Sequence, residues 1–165
     1  MSKKWPSKWD LESDQLHADC RIFEVHKRKF RRKSDGVAGD FYVLDTNDWV
    51  NVLATTSNDE IILVRQFRYG TEEFSLEPPG GVIERGEDPV MAGLRELEEE
   101  TGYVGSSAKI IGIARPNAAI LSNQCHMCTL LEVFLKYCLR CLSSIYHHRH
   151  YKNLLFRLLK IQLMI

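Results

Sequence analysis

The sequence predicts an α+β fold in which several short strands accompany one clearly bounded helix. Two observations support this prediction. Extended segments separated by turn residues recur between residues 20 and 134, and a stretch from residue 88 to residue 102 carries both a helix start and a helix stop. The 165 residues are enough for one domain with a sizeable core. We assign residues 1–134 to that domain and residues 135–165 to an atypical tail.

The helix is predicted from its two ends. Asp88 is a good N-cap, and Pro89 suits the first helical position, where its missing N–H would have no partner. Gly102 marks the end, because glycine adopts the left-handed conformation of a helix C-cap without steric cost. The apolar stripe expected to face the core comprises Val90, Leu94, Leu97 and Thr101.

The strands are predicted from extended segments bounded by turn residues. In chain order they are residues 20–32, 40–46, 49–56, 61–67, 74–77, 109–114 and 125–134. Ser34-Asp35-Gly36 predicts the first turn, and Ser57-Asn58-Asp59 predicts a hairpin between the third and fourth strands. Pro78-Pro79-Gly80-Gly81 predicts a turn before the helix, and Arg115-Pro116-Asn117 predicts a loop.

One face of the predicted helix is acidic. Glu96, Glu99 and Glu100 are spaced i, i+3, i+4 and therefore share a side of the helix. Like charges at this spacing repel, and carboxylates near a helix C-terminus oppose the macrodipole, so the cluster lowers helix stability. Hard divalent cations bind carboxylate oxygens, and Mg²⁺ keeps waters and adds substrate phosphates as ligands. The pattern indicates a metal site, and the plainer interpretation is a solvated, glutamate-rich face.

Charge and hydropathy argue against several classes of function. The net charge is zero, and the central region has no basic stripe typical of a nucleic-acid-binding protein. No apolar run is long enough to span a membrane, and the N-terminal residues lack the apolar stretch of a signal peptide. We therefore expect a cytoplasmic protein that binds neither nucleic acid nor a membrane.

The tail differs from the rest of the chain. All 22 acidic residues lie at or before Glu132, so residues 133–165 are basic. Residues 151–165 carry leucines at helical spacing, which predicts a helix packed on the same domain; a basic amphipathic helix on a membrane surface is the alternative. A truncated or frame-shifted ending is a further interpretation. The leucines concerned are Leu154, Leu155, Leu158 and Leu159.

Two Cys-x2-Cys pairs raise the question of a zinc site. The first is Cys125 and Cys128, and the second is Cys138 and Cys141. The gap of nine residues between them is short for such a site, and the first pair falls inside a predicted strand. Ordinary reduced cysteines are therefore the favoured interpretation. The histidines at positions 147, 148 and 150 are expected to be exposed tail residues.

The stretch from Gly81 to Tyr103 resembles the signature of the Nudix hydrolases, G-x5-E-x7-R-E-U-x-E-E-x-G-U, in which U is a bulky aliphatic residue. Only Tyr103 departs from the pattern. The matching residues are Gly81, Glu87, Arg95, Glu96, Leu97, Glu99, Glu100 and Gly102. Flanking segments resemble the ADP-ribose pyrophosphatase branch of this family; they are residues 48–52, 64–68, 76–81, 116–117 and 125–126.

The resemblance implies a fold and a metal. The fold is an α/β/α sandwich, a mixed β-sheet between helices, in which the signature forms a loop-helix-loop. The metal is Mg²⁺ or Mn²⁺, held by Glu96, Glu99 and Glu100 with the backbone carbonyl of Gly80 assisting. Glu87 and Arg95 are implied to brace the loop against the helix.

The resemblance also implies a substrate and its contacts. The implied reaction is hydrolysis of a nucleoside diphosphate linked to another group, with ADP-ribose or a nucleotide sugar as the expected substrate. Arg68 is assigned to the diphosphate, Glu77 to the same substrate-binding region, and Phe23 to stacking on the base. The protein is expected to bind this small molecule, and a homodimer is an open alternative.

The catalytic base is the main departure from the family. In many members of the branch the base comes from a loop well after the signature, and here no carboxylate follows Glu132. Either Glu99 or another glutamate of the signature serves as the base, or activity is weak or lost. The second function considered is therefore a nucleotide-binding module that does not cleave its ligand. A zinc-linked or membrane-linked interaction protein built around the tail is the third.

Overall fold

The computed structural model describes residues 6–136. These residues form two compact units, the first from residues 6–47 and 115–124 and the second from residues 48–114 and 125–136. The predicted tail helix, the second cysteine pair and the three tail histidines lie outside the described residues.

The first unit is built on an antiparallel sheet of three strands in the order β1-β2-β3. The strands are β1 (Trp9–Asp19), β2 (Glu24–Arg32) and β3 (Ala38–Asp45). Strands β2 and β3 confirm the two extended segments predicted here. The turn between them contains Gly36 with φ of 73°, a left-handed conformation that favours glycine.

Strand β1 is not predicted by the sequence pattern, because most of its residues are polar and it lacks an apolar alternation. Strand β1 pairs with β2 through opposite charges, because β1 carries acidic side chains and β2 is rich in Lys and Arg. Asp14 Oδ2 accepts a hydrogen bond from Arg28 Nε at 2.8 Å, and Glu12 forms an ion pair with Arg31. Such cross-strand pairs stabilise the pairing of the two strands, and the sequence of neither strand alone reveals them.

His26 on β2 lies between two carboxylates of this sheet. Its Nδ1 is 2.6 Å from Asp14 Oδ1, and its Nε2 is 2.9 Å from Glu24 Oε2. A carboxylate at each ring nitrogen favours the doubly protonated imidazolium. Glu24 and Asp14 accordingly raise the pKa of His26.

The second unit contains a five-stranded mixed sheet, a two-stranded sheet and one helix. Its elements are β4 (Trp49–Thr56), β5 (Val64–Arg68), β6 (Glu73–Glu77), β7 (Gly80–Val82), α1 (Pro89–Thr101), β8 (Tyr103–Val104), β9 (Ala108–Ala114) and β10 (Cys125–Leu135). The long strand β10 runs parallel to β4 and antiparallel to β8 and β9. Strand β7 pairs antiparallel with the other edge of β4.

The predicted hairpin between residues 49–56 and 61–67 is confirmed next to its turn and wrong farther along. Thr55 and Ile61 form an antiparallel bridge, and the Ile62 N–H donates to the Ala54 carbonyl at 3.0 Å, but β5 pairs antiparallel with β6. The physical reason is that β7 occupies this edge of β4 near its start, while β10 occupies the other edge. Gly80 and Gly81, predicted to lie in a turn, belong to β7 for the same reason.

The helix begins and ends where the sequence predicts. The Asp88 carboxylate accepts hydrogen bonds from the backbone N–H groups of Val90 and Met91, at 2.9 and 3.2 Å. Gly102 adopts a left-handed conformation with φ of 73°, and its N–H donates to the carbonyl of Glu98 at 2.8 Å. Both caps therefore satisfy backbone groups that a helix end leaves without partners.

The helix packs its buried face on the mixed sheet. Leu97 and Thr101 are buried as predicted, but Val90 and Leu94 are only half-buried, and the small residues Ala92 and Gly93 complete the buried face. A side chain at Gly93 would be in contact with Cys128 of β10 and Val52 of β4. The core also contains Val50, Ala54, Leu130 and Val133. This packing fixes the orientation of α1, and with it the direction of the acidic face.

The predicted mixed sheet is confirmed, and α1 is the one helix among residues 6–136. A second helical layer, which the α/β/α sandwich requires, is not found within that range. The helix in the described range is not long and apolar enough to cross a lipid bilayer.

The ion pairs of His26 predict a pH-dependent contribution to stability. Because folding raises the pKa of His26, its contribution is fully present below the pKa of an unfolded histidine and is lost as pH rises through the folded value. We expect His26→Gln to lower Tm at about pH 6 and to have little effect at about pH 9. Thermal unfolding at both pH values is the measurement. Glu24→Gln, which removes the main partner, should show the same loss in the same direction, and an effect of His26→Gln that is independent of pH would contradict the assignment.

Candidate active site

Three elements of the second unit meet at the carboxylate of Glu100, near the end of α1. Glu100 Oε1 accepts a hydrogen bond from Gln66 Nε2 of β5 at 2.9 Å, and Oε2 accepts one from the backbone N–H of Gly80 in β7 at 3.0 Å. Burial raises the pKa of Glu100, and the negative charge of Glu96 raises it further, whereas the hydrogen bond from Gly80 lowers it. The shift indicates that Glu96 and Glu100 are close enough to repel each other.

Arg95 holds the other end of the acidic face. Its Nε and Nη2 donate to the two carboxylate oxygens of Glu87, both at 2.9 Å, and its Nη1 donates to Glu96 Oε1 at 2.8 Å. Nη2 also donates to the carbonyl of Val82 at 3.1 Å. The pKa of Glu87 is lowered by the guanidinium, and the pKa of Arg95 is raised, first by its hydrogen bonds with Glu87.

These contacts join the loop before the helix to the helix itself. Glu87 Oε2 accepts a further hydrogen bond from the backbone N–H of Glu84 at 2.9 Å, so the loop closes on its own carboxylate. Paired N–H donors facing two carboxylate oxygens give both geometric specificity and strength. The contact between Glu87 and Arg95 implied by the sequence resemblance is present.

Glu99 differs from its two neighbours in exposure. Its side chain is 61% exposed, against 14% for Glu96, and its one ion pair is with Arg95 Nη1 at 3.4 Å. An exposed carboxylate with one long contact is free to change rotamer. The Glu99 carboxylate can therefore change its orientation more easily than the Glu96 carboxylate, which suits the role of a base that accepts a proton.

Two glycines allow the strand β7 to approach this cluster. A Cβ at Gly81 would overlap the carboxylate of Glu96, and a Cβ at Gly80 would overlap the backbone carbonyl of Val50. The first conflict involves the end of a flexible side chain, whereas the second involves backbone that cannot easily move. The two neighbouring glycines thus serve different purposes: Gly81 makes room for Glu96, and Gly80 lets β7 pair with β4.

Arg68 and Glu77, both assigned to substrate binding, contact each other across the β5–β6 pair. Arg68 Nε donates to Glu77 Oε1 at 2.8 Å, and Nη2 pairs with Oε2. The ion pair lowers the pKa of Glu77 and raises that of Arg68. The Arg68 side chain is 49% exposed, so an anionic ligand can approach it from solvent.

Phe23 lies in the first unit, in the connection between β1 and β2, and its side chain is half-buried. Its assignment to stacking on a base stays a prediction. The sequence pattern assigns no role to Gln66, which precedes Arg68 by two residues. Side chains two apart on a strand point to the same face, so this spacing is the signal that could have identified it.

The donor chemistry of the acidic face fits a hard divalent cation. Within residues 6–136, no three carboxylate, histidine or cysteine side chains form a compact cluster that could hold a metal ion by themselves. Mg²⁺ does not require one, because it is usually bound through one or two carboxylates together with waters and substrate phosphates. Glu96 and Glu100 supply two mutually repelling carboxylates on a rigid helix, and a cation near them would relieve that repulsion. Participation of Glu99 and of the Gly80 carbonyl stays a prediction.

The first cysteine pair has the features of core residues. Cys125 and Cys128 are both buried in β10, and burial raises the pKa of each thiol. A raised pKa disfavours the thiolate that zinc binds. Cys138 and Cys141 lie outside the described residues, so the prediction that the chain lacks a zinc site remains a prediction.

Comparisons with known proteins identify the family of the chain. A family model described as the NUDIX domain matches residues 46–131. The ADP-ribose pyrophosphatase of Bacillus subtilis (strain 168) is 54% identical over 54 residues, which are 33% of this chain and 29% of that protein. The ADP-sugar pyrophosphatase of Mus musculus is 52% identical over 61 residues, 36% of this chain and 28% of that protein. The aligned segments thus span less than a third of either relative.

A solved structure supports the fold. The crystal structure of an ADP compounds hydrolase matches with a TM-score of 0.72 and 23% sequence identity, covering 82% of this chain and 73% of that chain. At this level of identity the likeness concerns the fold, which the two chains share.

The two glycines of β7 give a matched pair of variants. Gly80→Ala should lower the free energy of unfolding by roughly 1–3 kcal/mol, because the new methyl overlaps backbone. Gly81→Ala should cost less stability, because the Glu96 carboxylate can turn away, but it should weaken Mn²⁺ binding roughly 10–100-fold. Chemical denaturation and titration of Mn²⁺ measure the two effects. Equal Mn²⁺ affinities of Gly81→Ala and the wild type would show that Glu96 does not hold the metal.

Proposed function

The chain belongs to the NUDIX domain family, and from that premise we propose that it is a metal-dependent hydrolase of a nucleoside diphosphate linked to another group. ADP-ribose or a nucleotide sugar is the proposed substrate, because the relatives with the highest identity quoted above are named for ADP-ribose and ADP-sugars. The observation that carries the proposal is the pair of oriented carboxylates, Glu96 held by Arg95 and Glu100 held by Gln66 and Gly80.

The proposed metal site consists of Glu96, Glu99 and Glu100, with the Gly80 carbonyl assisting. A divalent cation supplies charge neutralisation of the diphosphate and lowers the pKa of the attacking water. Arg95 keeps Glu96 oriented while leaving its second oxygen without a contact from the guanidinium. Glu87 fixes Arg95 in turn, so the loop and the helix keep one geometry.

Other side chains bind the substrate, and Glu99 of the metal site also acts as the base. Arg68 binds the diphosphate when a phosphate oxygen replaces the carboxylate of Glu77 as its partner. Phe23 is assigned to stacking on the base. Water attacks one phosphorus, the P–O bond to the bridging oxygen breaks, and the proton of the water passes to Glu99. The products are a nucleoside monophosphate and the phosphorylated second group.

A nucleotide-binding module without turnover is the second proposal. The observation that favours it is that residues 133–165 contain no Asp or Glu, while the carboxylate assigned as the base, Glu99, is exposed and has one ion pair, with Arg95. A chain that binds ADP-ribose in calorimetry but releases no product with Mg²⁺ or Mn²⁺ would support this second function.

Further properties belong to the same proposal. The ligand is a small molecule, and we propose no binding to nucleic acid or to a membrane. A cytoplasmic location, a homodimer and an α/β/α sandwich also stay predictions.

Removing one carboxylate at a time tests the metal assignment. We expect Glu96→Gln and Glu100→Gln each to lower kcat at least about a hundredfold, because each variant loses a charged metal ligand. Glu98→Gln is the matched control on the same helix, since Glu98 pairs with Lys136 away from the site. A screen of nucleoside diphosphate derivatives with Mg²⁺, read by phosphate release in a phosphatase-coupled assay, identifies the substrate. Near-normal kcat in both Gln variants would refute the assignment.

A further inference from the structure

Gln66 is a neutral side chain that donates a hydrogen bond to a proposed metal ligand. Its Nε2 donates to Glu100 Oε1 at 2.9 Å, and Gly80 donates to the other oxygen at 3.0 Å. One hydrogen bond to each oxygen fixes the plane of the carboxylate, and each oxygen keeps a lone pair for a further partner. The direction of those lone pairs is therefore set by residues 66 and 80 together.

We propose that Gln66 is a positioning residue that orients the Glu100 carboxylate toward the metal and couples it to the substrate contact at Arg68. This inference rests on the proposed function, since it assigns a part in the same site. In this role Gln66 acts through Glu100.

The chemistry of the side chain suits this role. A Lys or Arg at position 66 would also donate to Glu100, but its positive charge would compete with the cation for the carboxylate. A neutral amide donor orients the carboxylate and leaves its charge available. Glu96 illustrates the contrast, because its partner Arg95 is charged but is also engaged by Glu87.

The position of Gln66 on β5 provides the coupling. Gln66 and Arg68 are two residues apart in a strand, so their side chains point to the same face, roughly 7 Å apart along the strand. Arg65 and Phe67 point to the opposite face, where the Arg65 guanidinium lies 4.5 Å from the centre of the Phe74 ring. The negative charge of Glu100 contributes to the raised pKa of Arg68, after the larger effect of Glu77. A substrate that binds Arg68 therefore acts on β5, the strand that also carries Gln66 and thereby orients Glu100.

Neighbouring residues of this strand offer a matched pair of variants. Gln66→Met keeps the length of the side chain and removes the donor, whereas Arg65→Met makes the same new residue on the opposite face. Mn²⁺ affinity without nucleotide, measured by electron paramagnetic resonance, is the first readout. We expect Gln66→Met to weaken Mn²⁺ binding roughly 10–100-fold and Arg65→Met to leave it unchanged.

A second variant tests whether the length of the side chain matters in addition to its amide donor. Gln66→Asn keeps the amide but is one methylene shorter, so it cannot place its nitrogen at the distance observed for Gln66. We expect it to weaken Mn²⁺ binding like Gln66→Met. Thermal unfolding of metal-free protein checks that each variant is folded, and a purely structural role for Gln66 would lower Tm while leaving the Mn²⁺ affinity of the folded protein unchanged, which would overturn the proposal.

Kinetics with the best substrate found in the screen provide the remaining test. For Gln66→Met, kcat at low Mg²⁺ should fall in step with metal affinity, and raising Mg²⁺ should restore part of it. Arg68→Gln should raise KM, and added Mg²⁺ should not correct that defect. Normal hydrolysis and normal metal affinity in Gln66→Met would overturn the role of Gln66 and leave the proposed function intact. Weaker Mn²⁺ binding in Gln66→Met, in a chain that hydrolyses none of the compounds, would support the role of Gln66 and refute the proposed hydrolysis.

Discussion

The organisation of the site depends on the guanidinium of Arg95. Its nitrogens contact Glu87, Glu96, Glu99 and the carbonyl of Val82, and its side chain is only 28% exposed. Glu96, Glu99 and Glu100 lie on one face near the end of α1, where their like charges repel one another and oppose the helix macrodipole. Arg95 offsets part of this repulsion from within the same helix, and its paired hydrogen bonds to Glu87 bring the preceding loop into one fixed geometry. The acidic face can therefore be maintained in a folded helix without losing its negative charge.

The two ends of the acidic face are stabilised by different means. Glu96 contacts a positive charge, while Glu100 contacts only neutral donors, one from a side chain and one from the backbone. Burial of Glu100 with neutral partners leaves its carboxylate incompletely compensated, which is consistent with its raised pKa. An incompletely compensated carboxylate gains more from a nearby cation than one already paired with arginine. Glu100 is therefore expected to gain more from a nearby cation than Glu96 does.

The elements predicted correctly are those whose signals are local. The caps at Asp88 and Gly102 act within a few residues, and both ends of α1 agree with the structure. The predicted pairing of residues 61–67 with β4 is found only next to the turn, because pairing farther along depends on which edges of β4 are free, a property of residues far away in sequence. The sequence pattern does not predict strand β1, because its acidic residues pair with the basic residues of β2 and it has no apolar alternation of its own. In the site, the acidic face follows from the spacing of its glutamates on one helix, and the role of Arg95 is implied by the family resemblance. The contact between Gln66 and Glu100, by contrast, spans 34 positions of sequence.

The close packing of β7 explains why these distant contacts occur together. Gly80 and Gly81 remove the side chains that would otherwise hold β7 away from Val50 on one side and Glu96 on the other. Once β7 lies against β4, the backbone N–H of Gly80 faces Glu100, and the loop that follows brings Glu87 to Arg95. The pairing of two strands therefore determines the position of both carboxylates, although neither belongs to a strand. A site assembled in this way should be sensitive to small changes in strand packing and tolerant of changes on the exposed side of the helix, where Glu98 and Lys136 pair at the surface.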